Sequence, residues 1–257
     1  MTTDPVAPAF ADHFSPLAAR YAAVRPTYPA ELFDWLAALP ARRERAWDAG
    51  TGSGQAAVAL AERFAEVIAT DASDAQLAQA APHPRVSYRR AVAEESELAD
   101  GSIDLVTVAQ AVHWFDLDRF WPEVRRVLAP GGAVAVWSYL GVTLGPELDR
   151  VIARFYRDVV GPWWPPERAA VEDGYRSLPF PFAEIEPPPF EIRLRWDLAR
   201  FAGYLGTWSA SRHWSDAHGG ADPVAEIAAD LAAAWGDPAV EREIVWPIGL
   251  RAGRPEG

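Results

Sequence analysis

The stretch Trp47 to Gly54, W-D-A-G-T-G-S-G, decides the fold. Gly50, Gly52 and Gly54 tolerate the backbone angles of a sharp strand-to-helix turn, and without a Cβ they let a ligand lie against bare main chain. Val58, Ala61 and Phe64 then fall at helical spacing, as a helix packing on a sheet requires. A second apolar strand, Glu66 to Thr70, ends at Asp71. An acid at the tip of the second strand, about 20 residues beyond the glycines, is where an open α/β sheet binds the ribose hydroxyls of a nucleotide-like cofactor. The dinucleotide fingerprint G-x-G-x-x-G carries its third glycine one residue later than the G-x-G-x-G found here. Asp48 would also repel a pyrophosphate, whereas it suits a cationic group.

Composition narrows the classes. The 257 residues are 50% hydrophobic, ample for a sizeable core, and contain no cysteine, so disulfides, thiolate metal ligands and cysteine nucleophiles are excluded. A net charge of -12 argues against a nucleic-acid substrate. The sequence has no apolar run of about 18 residues and no basic, apolar leader, which reads as a soluble, cytoplasmic protein without a membrane partner. All 24 basic residues are arginine, a bias that fits a GC-rich bacterial genome. No G-x-S-x-G elbow marks a serine hydrolase, and no histidine pair has clear metal-ligand geometry, so no metal is expected.

Along the chain, Met1 to Ala9 reads as a loose tail and Phe10 to Arg20 as a helix. In Tyr21 to Pro29, Y-A-A-V-R-P-T-Y-P, two prolines hold the chain out of a helix and extend Arg25 and Tyr28, giving a segment able to drape as a lid. Leu32, Phe33, Leu36 and Leu39 make one helical face. A short helix from Asp74 to Ala80 leads to a third strand at Val86 to Arg89, and Ile103 to Val108 is a near-continuous apolar run of parallel-strand character. That fourth strand delivers Gln110, His113 and Trp114 to the crevice at the strand ends, where such sheets bind ligands. Leu117 to Leu128 is helical, Pro130-Gly131-Gly132 turns the chain, and Ala133 to Ser138 is the fifth strand. Leu148 to Val159 is an amphipathic helix, Phe190 to Trp196 a strand, Asp197 to Ser209 and Pro223 to Trp235 helices, and Ile244 to Leu250 the last strand. Trp35, Trp47, Trp137, Trp196 and Trp246 are expected to be structural.

The D-A-G-T-G-S-G loop, the Y-x-x-x-R-P-x-Y-P segment, A-x-H-W-F at Ala111 to Phe115 and L-x-P-G-G at Leu128 to Gly132 together resemble the class I S-adenosylmethionine-dependent methyltransferases, in the trans-aconitate methyltransferase-like branch. The resemblance implies a Rossmann-like three-layer α/β sandwich. Its seven-stranded sheet is mostly parallel with a reversed last strand, under an N-terminal helical lid and with a helical insertion after the fifth strand. It implies S-adenosylmethionine as cofactor, S-adenosylhomocysteine as product, and a cofactor site of Tyr21, Arg25, Tyr28, Asp48, Ala49, Gly50, Gly52, Gly54, Asp71, Ala72, Gln76, Ala93, Glu94 and Gln110. Asp48 then helps hold the methionine end, and Ala93 with Glu94 meets the adenine.

The whole chain, 1–257, reads as one domain: a cap over 1–45, a cofactor-binding core over 46–140, a helical insertion over 141–186 and a completion of the sheet over 187–257. G-P-W-W-P-P-E-R, Gly161 to Arg168, sets two tryptophans in a stiff proline frame, and rigid aromatics suit a ligand because little side-chain entropy remains to be lost. Trp114, Tyr139, Trp163, Trp164, Arg168, Tyr175, Trp208 and His213 are therefore the expected acceptor side, with Arg168 able to grip a carboxylate in a bidentate pair. His113 is the candidate catalytic base, judged by its position and its ordinary titration range. The expected partner is a small organic molecule bearing a carboxylate or hydroxyl, bound by a monomer or homodimer. The alternatives are a nicotinamide-dependent oxidoreductase and a cofactor-binding protein without methyl transfer.

Overall fold

The computed structural model describes residues 26–256. The expected tail and helix of residues 1–20, and Tyr21 and Arg25, lie outside them. The described chain opens with helix α1 (Ala30–Ala38), strand β1 (Arg45–Ala49), helix α2 (Gln55–Ala61), strand β2 (Glu66–Asp71), the short helix α3 (Asp74–Leu77) and strand β3 (Val86–Arg90). Strand β4 (Ile103–Ala109), helix α4 (Leu117–Val127) and strand β5 (Leu128–Tyr139) complete a parallel sheet in the order β3-β2-β1-β4-β5. Its central strands read as continuous apolar runs because both faces are covered. On β5, Val134 and Val136 face one side, together with Trp47, Val106, Phe120 and Val124. Ala133, Ala135 and Trp137 face the other side, against Leu32, Phe33, Leu36, Ala57 and Leu60. The result is the expected three-layer sandwich.

The helical stretch after β5 comprises α5 (Pro146–Arg154), a π-helical turn at Phe155–Val159, a 3₁₀ turn at Gly161–Trp163 and α6 (Arg168–Glu172). Strand β6 (Ala183–Ile185) and strand β7 (Phe190–Trp196) follow, then α7 (Leu198–Gly206), α8 (Ser209–Ala217), α9 (Ala228–Trp235) and the long strand β8 (Arg242–Arg254). β8 runs antiparallel to β5, as the reversed last strand, and extends well beyond it.

The sheet has eight strands where seven are expected, because the outer neighbour of β8 comes in two pieces. β6 pairs with Ala252 to Arg254 and β7 with Arg242 to Ile248, and between them lie Pro187, Pro188 and Pro189. Prolines have no N–H to give to a ladder, so the edge strand breaks there. β6 also places the end of the expected 141–186 insertion inside the sheet. The Pro130-Gly131-Gly132 turn lies within β5, which already pairs through Leu128 with Ile103 before the register shifts to Leu105 and Ala133.

A third core, behind the far half of β8, joins Phe155, Trp196, Phe201, Tyr204, Leu231, Trp235 and Trp246. The Trp246 ring meets Trp196 at 5.2 Å and Tyr204 at 5.5 Å, and its indole N–H donates to the Tyr204 hydroxyl at 3.0 Å. Trp47, Trp137, Trp196 and Trp246 are all buried, and Trp35 is half-buried against Phe190. Removing a fully packed indole leaves a cavity and takes one donor from the Tyr204 hydroxyl. W246A is expected to cost about 3 to 5 kcal/mol in urea unfolding, and a loss below about 1 kcal/mol would show that this third core is not a cooperative part of the fold.

Candidate active site

The glycine loop is held from beneath by Asp48. Its carboxylate, fully buried at the end of β1, accepts hydrogen bonds from the Thr51 hydroxyl in the loop (2.6 Å) and the Thr107 hydroxyl on β4 (2.8 Å). Burial is the largest influence on this group and pushes its pKa up to about 6, against the lowering effect of the two hydroxyls. Each oxygen takes one of these hydroxyls, which fastens the loop to the two central strands.

Gly50, Gly52 and Gly54 all have positive φ, at +66°, +57° and +81°, but they serve different ends. A Cβ at Gly50 would lie 2.7 Å from the Ala111 side chain, so this position lets the loop after β4 close in. A Cβ at Gly52 would meet only the Gln76 amide oxygen, at 3.8 Å, so the main chain there is open toward a ligand. Asp71 flanks that opening, accepting from the backbone N–H of Gly52 (2.8 Å) and of Ser73 (2.9 Å). Ala49 is buried in the strand, Ala72 is half-buried between Asp71 and Ser73, and Ala93 is buried. Glu94 has one oxygen committed to the Asp116 N–H at 2.7 Å, at the start of α4. Pro26 accepts a hydrogen bond from the Gln55 side chain (3.2 Å), which lays the described end of the Pro26–Pro29 segment against the loop. The half-buried Tyr28 ring packs edge-on against Phe33 and Trp137.

Next to this opening, at the tips of β4 and β5, lies a cavity of about 390 Å³. Gln110, His113, Trp114 and Tyr139 contribute its sheet side. Tyr156, Trp164, Arg168, Tyr204 and Trp208 contribute the side built by the later helices. Gln110 is held at a φ of +60° with its N–H donating to the Trp137 carbonyl, and its side-chain Nε2 is buried with no hydrogen-bond partner among the described residues. An orphaned buried amide is costly unless a ligand satisfies it. His113 Nδ1 lies 3.0 Å from the hydroxyl of the fully buried Tyr175, whose own acidity burial suppresses. Burial, aided by the positive charge of Arg168, holds the His113 imidazole down to a pKa of about 3. The titration range expected of a general base is thus corrected. The ring is neutral at physiological pH, and its conjugate acid is too strong for the imidazole to be an effective proton acceptor there.

Of the other expected acceptor residues, Trp163, Tyr175 and His213 do not line the cavity. Tyr175 stands behind His113, and His213 Nδ1 lies 3.0 Å from the Trp163 carbonyl, tying α8 to the 3₁₀ turn. Arg168 does line it, with its guanidinium 4.7 Å from the Trp164 ring centroid, its Nε–H donating to the Tyr156 hydroxyl at 3.1 Å, and no ion pair among the described residues. Tyr156, Tyr204 and Glu172 escape a sequence reading. Tyr156 sits in a helix-like run and is turned toward the cavity by the π-helical turn, a device that often marks functional positions. The one available signal is the i,i+4 spacing of Arg168 and Glu172, which both meet the Tyr156 hydroxyl.

Residues 47–136 match the methyltransferase domain family. A Dictyostelium discoideum protein named as a methyltransferase is 34% identical over 204 residues, 78% of each chain. The solved structure of an Anaeromyxobacter dehalogenans protein named as a type II methyltransferase shares 51% identity and a TM-score of 0.85, over 90% of this chain and 99% of that one. A Mycobacterium tuberculosis protein named as an uncharacterized methyltransferase is 43% identical over 134 residues, 51% of this chain and 54% of that one. The chain belongs to the methyltransferase family, in its class I, Rossmann-like form, and the nicotinamide alternative falls away. No helix among the described residues is long and apolar enough to cross a membrane.

The buried acid gives a pH signature. With a folded pKa of about 6 against an ordinary 3.8, Asp48 binds protons more tightly in the native state, so its effect on stability is most favourable below about pH 4 and is lost as pH rises through about 6. D48N is expected to remove that downward slope, by up to about 3 kcal/mol between pH 4 and 6 relative to the parent. Parallel slopes in urea titrations of the two proteins would refute it.

Proposed function

We propose that this chain transfers a methyl group from S-adenosylmethionine to a small organic acceptor that carries an anionic group and sits in the aromatic cavity beside the glycine loop. The observation that carries this reading is Arg168, a guanidinium without an ion pair among the described residues, in the wall of a cavity that begins at the tip of β4. A planar guanidinium braced on an indole keeps its fork of donors in place, and such a fork matches a carboxylate. The orphaned Gln110 amide offers a second donor for the acceptor or the cofactor's amino-acid end.

What supports a fit between these residues and the cofactor is the main chain at Gly52, where a Cβ would meet only the Gln76 amide oxygen, at 3.8 Å, so that room remains for a ligand. Asp71 would accept the ribose hydroxyls, Gln76 and Ala72 would flank the ribose, and Ala93 and Glu94 would border the adenine. When bound, the cofactor supplies an already activated methyl group on a sulfonium. The protein's own task is therefore to align the acceptor and exclude water, which can account for about 7 to 11 kcal/mol of rate enhancement. A carboxylate acceptor arrives deprotonated, so no base is required. His113, neutral and fixed by Tyr175, positions the acceptor through its ring edge. On this reading residues 46–140 hold the cofactor and the helices after β5 hold the acceptor, in a cytoplasmic enzyme acting on a small molecule.

Calorimetry with S-adenosylhomocysteine tests the first half. D71A is expected to weaken binding by about 1.5 to 3 kcal/mol, and unchanged affinity would remove Asp71 from the site. Transfer of a labelled methyl group to paired acids and amides of the same skeleton tests the second. Acids should be favoured at least tenfold in kcat/KM, and R168M should erase that preference. H113Q should lower turnover less than about tenfold, with no inflection between pH 5 and 8 in the parent that the variant lacks. A loss of about 100-fold with binding intact would restore a base at this position.

A further inference from the structure

The acceptor cavity has an outer neighbour. Behind it lies an open groove, bordered by Gly161, Pro166 and Ala169, that shares Tyr156, Trp164, Arg168 and Glu172 with the inner cavity. Those side chains are a partition with ligand space on both sides. The Tyr156 hydroxyl donates to the Glu172 carboxylate and accepts from Arg168 Nε–H. Its ring packs against Trp164 at 5.0 Å and Trp208 at 5.8 Å, and its backbone carbonyl accepts the Trp164 indole N–H at 3.4 Å. Tyr156 thus touches each of the other three partition side chains, beside the direct contacts of Trp164 with Arg168 and Trp208.

We propose that Tyr156 is a specificity-determining residue that sets the longest acceptor the cavity admits, and that the groove behind it is where the distal end of a longer acceptor lies once the ring is out of the way. The inference rests on the reading of the inner cavity as the acceptor site. It does not depend on which end of the acceptor faces β4, because the shared wall borders both spaces whichever end that is. The occupant follows from continuity: the groove extends the same space, and the shared guanidinium and aromatic faces suit an aryl or alkyl chain ending in an acid.

The experiment titrates a homologous series of ω-phenylalkanoic acids into full-length protein saturated with S-adenosylhomocysteine, reading Kd from tryptophan fluorescence and from calorimetry. For the parent, affinity is expected to rise with chain length and then drop at least tenfold at one length. In Y156A that drop should move at least two methylenes further. Y156F, which keeps the ring and loses only the hydroxyl, should keep the parent's limit. The double variant Y156A/A169W, whose added indole fills the groove, should return to the parent's limit, while A169W alone leaves binding of short acids unchanged. A limit that stays fixed in Y156A, in protein that still binds short acids and unfolds cooperatively, overturns the proposal. A gain in Y156A that A169W does not reverse also overturns it, by showing that the extra length lies elsewhere. Failure of the parent to bind any acid instead overturns the acceptor-site reading beneath it, so the two failures are distinguishable.

Discussion

A single buried carboxylate organises the site. Asp48 is bonded to one hydroxyl on the loop and one on β4, and so fixes the glycine turn relative to both central strands. The fixed loop presents the Gly52 N–H to Asp71 at the tip of β2, and its Gly50 lets Ala111 approach from the tip of β4. Through that contact the start of the Gln110 to Trp114 segment, and with it the sheet side of the acceptor cavity, is set by the same anchor. Keeping such a group charged in an apolar interior is unfavourable, which is why its pKa rises. Two well-aligned hydroxyl donors limit the cost without removing it.

The acceptor side is held by different physics. Tyr156, Trp164, Tyr204 and Trp208 form a connected set of ring contacts with centroids between 5.0 and 5.9 Å. Such pairs prefer edge-on or tilted geometries and resist rearrangement in close-packed surroundings. Arg168 lies against this set rather than opposite an acid, so its charge is held in position by the Trp164 and Tyr156 rings and by its Nε–H bond to the Tyr156 hydroxyl. A positive charge so placed also lowers the proton affinity of His113, which couples the acceptor wall to the tip of β4.

The cofactor half was legible in the sequence because its determinants are local. Alternating glycines, an acid at the next strand tip and continuous apolar strands all act over a few residues, and the loop, β2 and β4 appear where that pattern places them. The partners of Asp48 were not legible, because a carboxylate at the end of a buried strand gives no sign of two hydroxyls 3 and 59 residues away in sequence. The acceptor half was legible only in composition. Adjacent Trp163 and Trp164 look equivalent, yet the 3₁₀ turn sends one toward α8 and the other into the cavity, and no spacing rule separates them. Tyr156 was hidden by a π-helical turn inside an ordinary amphipathic pattern. β6 was too short, at three residues, and too exposed to stand out.

The division of the interior into separate cores has a consequence for how such a chain changes over time. The cores that flank the parallel strands and the one behind the far half of β8 meet through few side chains, chiefly Tyr28 and Ile248. Substitutions in cores this far apart act nearly additively, since coupling falls away once residues share no partner. The ring-lined half can therefore exchange side chains and drift toward new small molecules while the glycine loop and its buried acid stay as they are.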